Sequence, residues 1–99
     1  MKMIIYKNME ETLIKEKLIV YLEEYIRKNR IEVEGINLRY VSDNLDLGYT
    51  FGLDSLDCTE IIMELENLFD VRMNDTDASL IAKHFTFSNL INNFSKLLK

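Results

Sequence analysis

The chain contains no proline, one cysteine, one histidine and only three glycines. Without proline, nothing forces a break in a helical backbone, which permits helices without requiring them. Cys58, standing alone, excludes an internal disulfide and the common cysteine-rich zinc sites. With His84 the single histidine, most metal and acid–base constellations drop out, and no nucleophile–base pair or catalytic triad is visible. Long apolar runs are missing too. Residues 1–6 are partly apolar but too short for a signal-peptide core or a membrane span, so the expected location is the cytoplasm. There is no internal repeat and no low-complexity tract. At 99 residues, the chain is expected to form one domain over 1–99, too small for a cleft between two lobes.

Charge is unevenly spread. Over residues 43–77 there are ten acids and one base, Arg72, whereas the flanking segments are net positive within a total of −5. Such a field repels phosphate backbones and attracts basic protein surfaces, so nucleic-acid binding is not expected.

Hydrophobic spacing predicts four helices, three long and one short: an all-α, four-helix bundle. The first spans 9–29, with Asn8 as N-cap and Glu11 completing a capping-box pattern. Its stripe is Leu13, Ile14, Leu18, Tyr21, Leu22, Tyr25 and Ile26, and Arg27, Lys28 and Arg30 suit the negative end of its dipole. A long connection over 30–54 holds all three glycines, with Leu38, Val41, Leu45, Leu47 and Phe51 expected to pin it to the core. A helical turn or extended piece is admissible at 37–41. A loop this long inside a small domain is often functional. The second helix is expected at 55–69, a short third at 77–83, and the last at 87–98 with Thr86 as N-cap and Phe87, Leu90, Ile91, Phe94, Leu97 and Leu98 as its stripe.

The second predicted helix has two apolar faces. At about 100° per residue, Cys58, Ile61, Ile62, Leu65, Leu68 and Phe69 share one arc, the core face. Leu56 and Met63 lie nearly in line on the opposite side, flanked by Asp57, Glu60 and Glu64 on one edge and by Thr59 and Glu66 on the other. Apolar residues rimmed by charge mark partner contacts in some proteins and are ordinary surface in others. Ser55 stands at the head of this helix, where free N–H groups and the positive dipole end favour a phosphate ester. A plain N-cap at Ser55, or at Asp54 before it, is the simpler reading of the position alone.

The run Gly52-Leu53-Asp54-Ser55-Leu56-Asp57 resembles the G-x-D-S-L signature of the acyl and peptidyl carrier proteins. Its surroundings are similar as well: Asp46-Leu47 upstream, Glu64-Leu65-Glu66-Asn67-Leu68-Phe69-Asp70-Val71 downstream, and Phe85-Thr86-Phe87 with Leu90 and Ile91 at the last helix. The resemblance implies a carrier and not an enzyme. It implies 4′-phosphopantetheine bound covalently to Ser55, with Asp54 and Leu56 as motif neighbours. It further implies a helix bearing Asp57, Glu60, Met63 and Glu64 that is read by basic partner surfaces. The partners so implied are a phosphopantetheinyl transferase and enzymes that load or condense acyl or aminoacyl groups, with the carrier itself a monomer. Arg72-Met73-Asn74 and His84-Phe85 depart from the fatty-acid type, which leaves fatty acyl, aminoacyl, aryl and polyketide cargoes all open.

The competing function is a non-covalent interaction module that uses Leu56, Met63 and Glu60, with Ser55 only a cap. No metal site is expected: Glu60 and Glu64 lack an EF-hand ligand loop. Cys58 sits on the core face, where cysteine behaves as a small hydrophobe. His84 reads as a surface or helix-end residue, and the five tyrosines as core and rim residues.

Overall fold

The computed structural model describes residues 9–99. Five helices follow one another: α1 (Glu11–Lys28), α2 (Leu47–Phe51), α3 (Ser55–Phe69), α4 (Asp75–Lys83) and α5 (Phe87–Leu97). The described residues form no strand. The all-α bundle is as expected, with one helix more than the hydrophobic spacing had indicated.

In α1, Ile14, Leu18 and Leu22 are buried and Ile19 joins them, while Leu13 is 47% exposed. Asn8, the expected cap, lies outside the described residues. The N-cap position is Glu10, whose side chain makes no capping bond and whose carbonyl accepts the N–H groups of Leu13 and Ile14.

The extra helix, α2, lies inside the predicted 30–54 connection. Its start and stop follow local chemistry. The Asp46 carboxylate accepts the Tyr49 N–H at 3.0 Å, and Gly52 closes the helix in the left-handed region at φ 66°, which glycine enters without strain. The 37–41 stretch is a turn: Asn37 accepts the Arg39 N–H through its side chain and the Tyr40 N–H through its carbonyl, both at 2.9 Å. Leu38, Leu47 and Phe51 are buried, with Val41 and Leu45 half-buried against the core. Ion pairs of Lys15 with Asp43 (2.6 Å) and of Arg39 with Glu16 (2.7 Å) hold the connection along α1. Exposed pairs of this kind contribute little stability, so their effect is chiefly positional.

Backbone bonds then fix α2 to the rest. The Leu47 N–H donates to the Phe85 carbonyl at 2.8 Å, the Ser88 N–H to the Asp43 carbonyl at 2.9 Å, and the Leu53 N–H to the Gly48 carbonyl at 2.7 Å. Gly48 lies so close that a Cβ there would meet the Asp46 carboxylate at 3.3 Å and the Cys58 sulfur at 3.7 Å. The connection therefore packs directly on the first turns of α3.

The α3 helix has the predicted bounds, and Cys58, Ile61, Ile62, Leu65 and Phe69 are buried. Two residues at the edges of the arc were misassigned. Leu68 is 39% exposed and borders a shallow groove with Leu13 and Val20, because nothing among the described residues covers that edge of the last turn. Glu66, expected on the outer rim, is only 8% exposed. The chain returning from α3 covers it, and its carboxylate accepts the Met73 N–H at 2.6 Å. Asp70, left-handed at φ 56°, turns the chain there while Val71 donates to the Glu66 carbonyl.

Helix α4 starts at Asp75, two residues earlier than expected, because the Asn74 side chain caps it by accepting the Asp77 N–H at 2.8 Å. Thr86 caps α5 as expected, accepting from Asn89 at 3.1 Å. Phe87, Leu90, Ile91 and Phe94 are buried, as is Leu98 just past the helix end, while Leu97 is half-buried. The rings of Phe69 and Phe94 meet at 5.2 Å between centroids, locking α3 to α5 at the centre of the core.

Candidate functional site: the head and outer face of α3

Asp54 and Ser55 were both candidates for the N-cap of α3, and the structure gives the position to Asp54. Its carboxylate accepts the Asp57 N–H at 2.8 Å, and the Asp57 carboxylate accepts the Asp54 N–H at 3.1 Å, a reciprocal capping box. Ser55 is thereby freed. It occupies the first helical position, is exposed, and its hydroxyl has no hydrogen-bond partner among the described residues. Its carbonyl accepts the Thr59 hydroxyl at 2.8 Å.

The capping box leaves the N–H groups of Ser55 and Leu56 without a protein acceptor among the described residues. They project at the positive end of a fifteen-residue helix. Space is available as well: Ser55 and its neighbours Asp54 and Leu56 are all exposed. An anionic ester on the Ser55 hydroxyl would thus meet unpaired donors and open solvent. The two nearest acids, Asp54 and Asp57, already have carboxylate oxygens engaged by backbone N–H groups. These residues fit a phosphodiester-linked prosthetic group.

Beyond the head, the outer face is as the helical wheel predicts. Leu56 is 67% exposed and Met63 56% exposed. Glu60 is exposed and in no ion pair among the described residues. Glu64 is exposed but not free: the Tyr21 hydroxyl of α1 donates to its carboxylate. Asp57 is half-buried and held in the capping box, which reduces what it offers to a partner. Sequence reasoning did not pair Tyr21 with Glu64, since the two lie 43 residues apart and no local signal joins them.

Burial and the surrounding acids shape the titration of this region. Burial, with Asp57, Asp46 and Asp54 nearby, pushes the Cys58 thiol up to about 11, so it stays protonated and inert near neutral pH. Burial raises the Tyr25 phenol, and Asp57, Glu60 and Glu64 add to the effect. Burial also raises Tyr21, reinforced by its bond to Glu64. His84 caps the end of α4 at the surface. No group of histidine, cysteine and carboxylates among the described residues is arranged to hold a metal ion.

A family model described as a phosphopantetheine attachment site matches residues 24–92. An acyl carrier protein of Chlorobium phaeobacteroides is 42% identical over 76 residues, covering 75% of this chain and 85% of that protein. One from Nitratidesulfovibrio vulgaris is 36% identical over 62 residues, or 63% of this chain and 82% of that protein. One from Campylobacter lari is 44% identical over 45 residues, or 46% and 58% respectively. No solved structure matches the chain.

Proposed function

The chain belongs to the acyl carrier protein family, the family of the phosphopantetheine attachment site, and from that premise we propose that Ser55 is the residue to which the arm is joined. The protein is a carrier and not an enzyme, and its prosthetic group is 4′-phosphopantetheine. Once bound, that group supplies a thiol at the end of a flexible arm, on which an acyl group is held as a thioester. The protein's own contribution is to hold one hydroxyl clear of the surface, welcome the anion beside it, and present the loaded arm to successive enzymes. Tethering raises the local concentration of cargo at each partner site.

The observation that carries the reading is the free, exposed Ser55 hydroxyl beside two unpaired N–H groups, released from capping by Asp54. Asp54 acts through its cap, fixing the helix start and with it the direction of the serine. Leu56, exposed next to the attachment point, offers an apolar contact to the modifying enzyme.

Interaction with a phosphopantetheinyl transferase and with biosynthetic enzymes follows from the carrier role. In our reading these partners dock on the outer face of α3 through Glu60, Glu64 and Asp57, with Met63 as an apolar centre. They would include enzymes that load and condense acyl or aminoacyl groups, met by a monomeric, single-domain carrier in the cytoplasm. No helix among the described residues is long and apolar enough to cross a membrane.

The test is coexpression with a broad-specificity phosphopantetheinyl transferase, followed by intact mass measurement. The expected result is a gain of one phosphopantetheinyl group in the native chain and none in Ser55→Ala. A gain that persists in Ser55→Ala would place the arm elsewhere.

A further inference from the structure

Helix α1 is the element that the carrier reading leaves without a part in recognition, yet it reaches the outer face of α3. Between the two helices runs a groove of ≈ 300 Å³. Tyr21 and Tyr25 form its α1 wall, and Glu60 and Glu64 its α3 wall. The two rings stand 6.3 Å apart, tilted by 34°. Glu24 and Lys28 sit at the α1 rim, with Glu24 committed to Arg27.

The two acids of the α3 wall are held differently. The Glu60 side chain has no hydrogen bond or ion pair among the described residues, whereas Glu64 receives the Tyr21 hydroxyl. A long, exposed carboxylate samples many rotamers and must give them up on docking. A carboxylate tied to the neighbouring helix has already lost that freedom, and it still has acceptor positions to spare. The aromatic α1 wall and the two carboxylates of the α3 wall outweigh the single cation at the rim, Lys28, and suit the groove to a further positive charge, which aromatic faces also attract.

Resting on the reading of α3 as the partner-facing helix, we propose that Tyr21 is a positioning residue for docking: it fixes Glu64 across the α1–α3 seam, so that the groove receives a cationic side chain of the partner enzyme. The docking surface is then a two-helix surface, not a single helix face. The raised phenols of Tyr21 and Tyr25 agree with this, since both stay protonated, and Tyr21 stays a donor, across the neutral range.

The experiment measures phosphopantetheinyl transfer by one transferase as a function of carrier concentration. The proteins compared are the native chain, Tyr21→Phe, Glu64→Ala and the double variant. Loss of one ordering hydrogen bond predicts a KM raised by about three- to tenfold in Tyr21→Phe, with kcat unchanged. In the Glu64→Ala background, Tyr21→Phe should have no further effect, because its partner is gone. The KM difference between native chain and Tyr21→Phe should also narrow at high salt. An unchanged KM in Tyr21→Phe overturns the proposal, as does a full additional loss in the double variant. A fall in kcat alone does the same. Phenylalanine keeps the ring; if Tyr21→Phe nonetheless melts early, Glu64→Gln alone takes its place. It keeps an acceptor for Tyr21 but removes the charge that the cationic side chain meets, so KM must rise with kcat unchanged, and an unmoved KM overturns the proposal. No mass gain in the native chain would remove the carrier reading at Ser55 and this inference together, whereas normal transfer with an unmoved KM removes only this one.

Discussion

At the scale of single residues, Cys58 shows how the acidic stretch and the core meet. Its sulfur is buried under Gly48, and its thiol is pushed from an ordinary 9.0 to about 11. Folding therefore favours the protonated form. Below pH 9 both folded and unfolded chains hold the proton, and stability does not depend on this group. Between about pH 9 and 11 the unfolded chain ionises first, so stability falls by on the order of 2 kcal/mol across that window. Tyr21 and Tyr25 titrate in the same direction, but they begin to act only above 10, their unperturbed value. Urea unfolding at pH 8, 9 and 10 should show native stability decreasing with pH, and Cys58→Ala should flatten the slope while lowering the starting value through lost packing. Equal slopes in the two proteins would mean that the thiol is not buried in the folded state. This placement was legible in the sequence because Cys58 falls on an apolar arc with four buried neighbours of its own helix. The Tyr21–Glu64 bond was not, because a contact between distant segments leaves no periodic trace.

Helices were legible in proportion to how much of their definition is local. Both bounds of α3 were readable, since Asp54 caps its start and an apolar period of 3.6 runs to Phe69. The α5 helix was readable for the same reason, with Thr86 as cap. The α2 helix was missed because five residues cannot display a period. Its signals were nevertheless present: Asp46 three residues before Tyr49, and Gly52 just past its end. Glu66 was misplaced for a different reason. Its position on the wheel lies next to Ile62, and only the path of the chain after Asp70 decides whether that edge is covered. Once covered, its carboxylate is the acceptor for a backbone N–H at Met73, itself buried. Glu66→Leu should therefore cost about 1–3 kcal/mol by leaving that donor unsatisfied, while Glu66→Gln, which keeps an acceptor, should cost less. Thermal or denaturant unfolding of the two variants checks this. Equal losses would show that charge, not acceptance of the Met73 N–H, is what the position requires.

For the molecule as a whole, the balance of charge decides how it meets other proteins. The basic residues of the flanks are partly spent on holding the fold: Lys15 on Asp43, and Arg39 on Glu16 and Glu23. Those pairs draw the long connection onto α1 and offset the charges of Lys15 and Arg39 locally. That face carries Glu60 and Glu64 around exposed Leu56 and Met63 and has no described base among its neighbours on the helix. On the proposed reading, a partner with a basic surface would be drawn in by long-range attraction before any contact forms, and the small apolar patch desolvated afterwards. Reversing Glu60 and Glu64 together to lysine should lower the rate of phosphopantetheinyl transfer at low salt by roughly tenfold or more. The deficit should shrink as salt shortens the screening length to within about 10 Å near 0.1 M. Leu56→Ala should show the opposite pattern, a loss that salt does not relieve, because apolar desolvation does not depend on screening. Rates for the charge-reversed protein that equal the native rates at low salt would mean that the acidic face takes no part in guiding the transferase to Ser55.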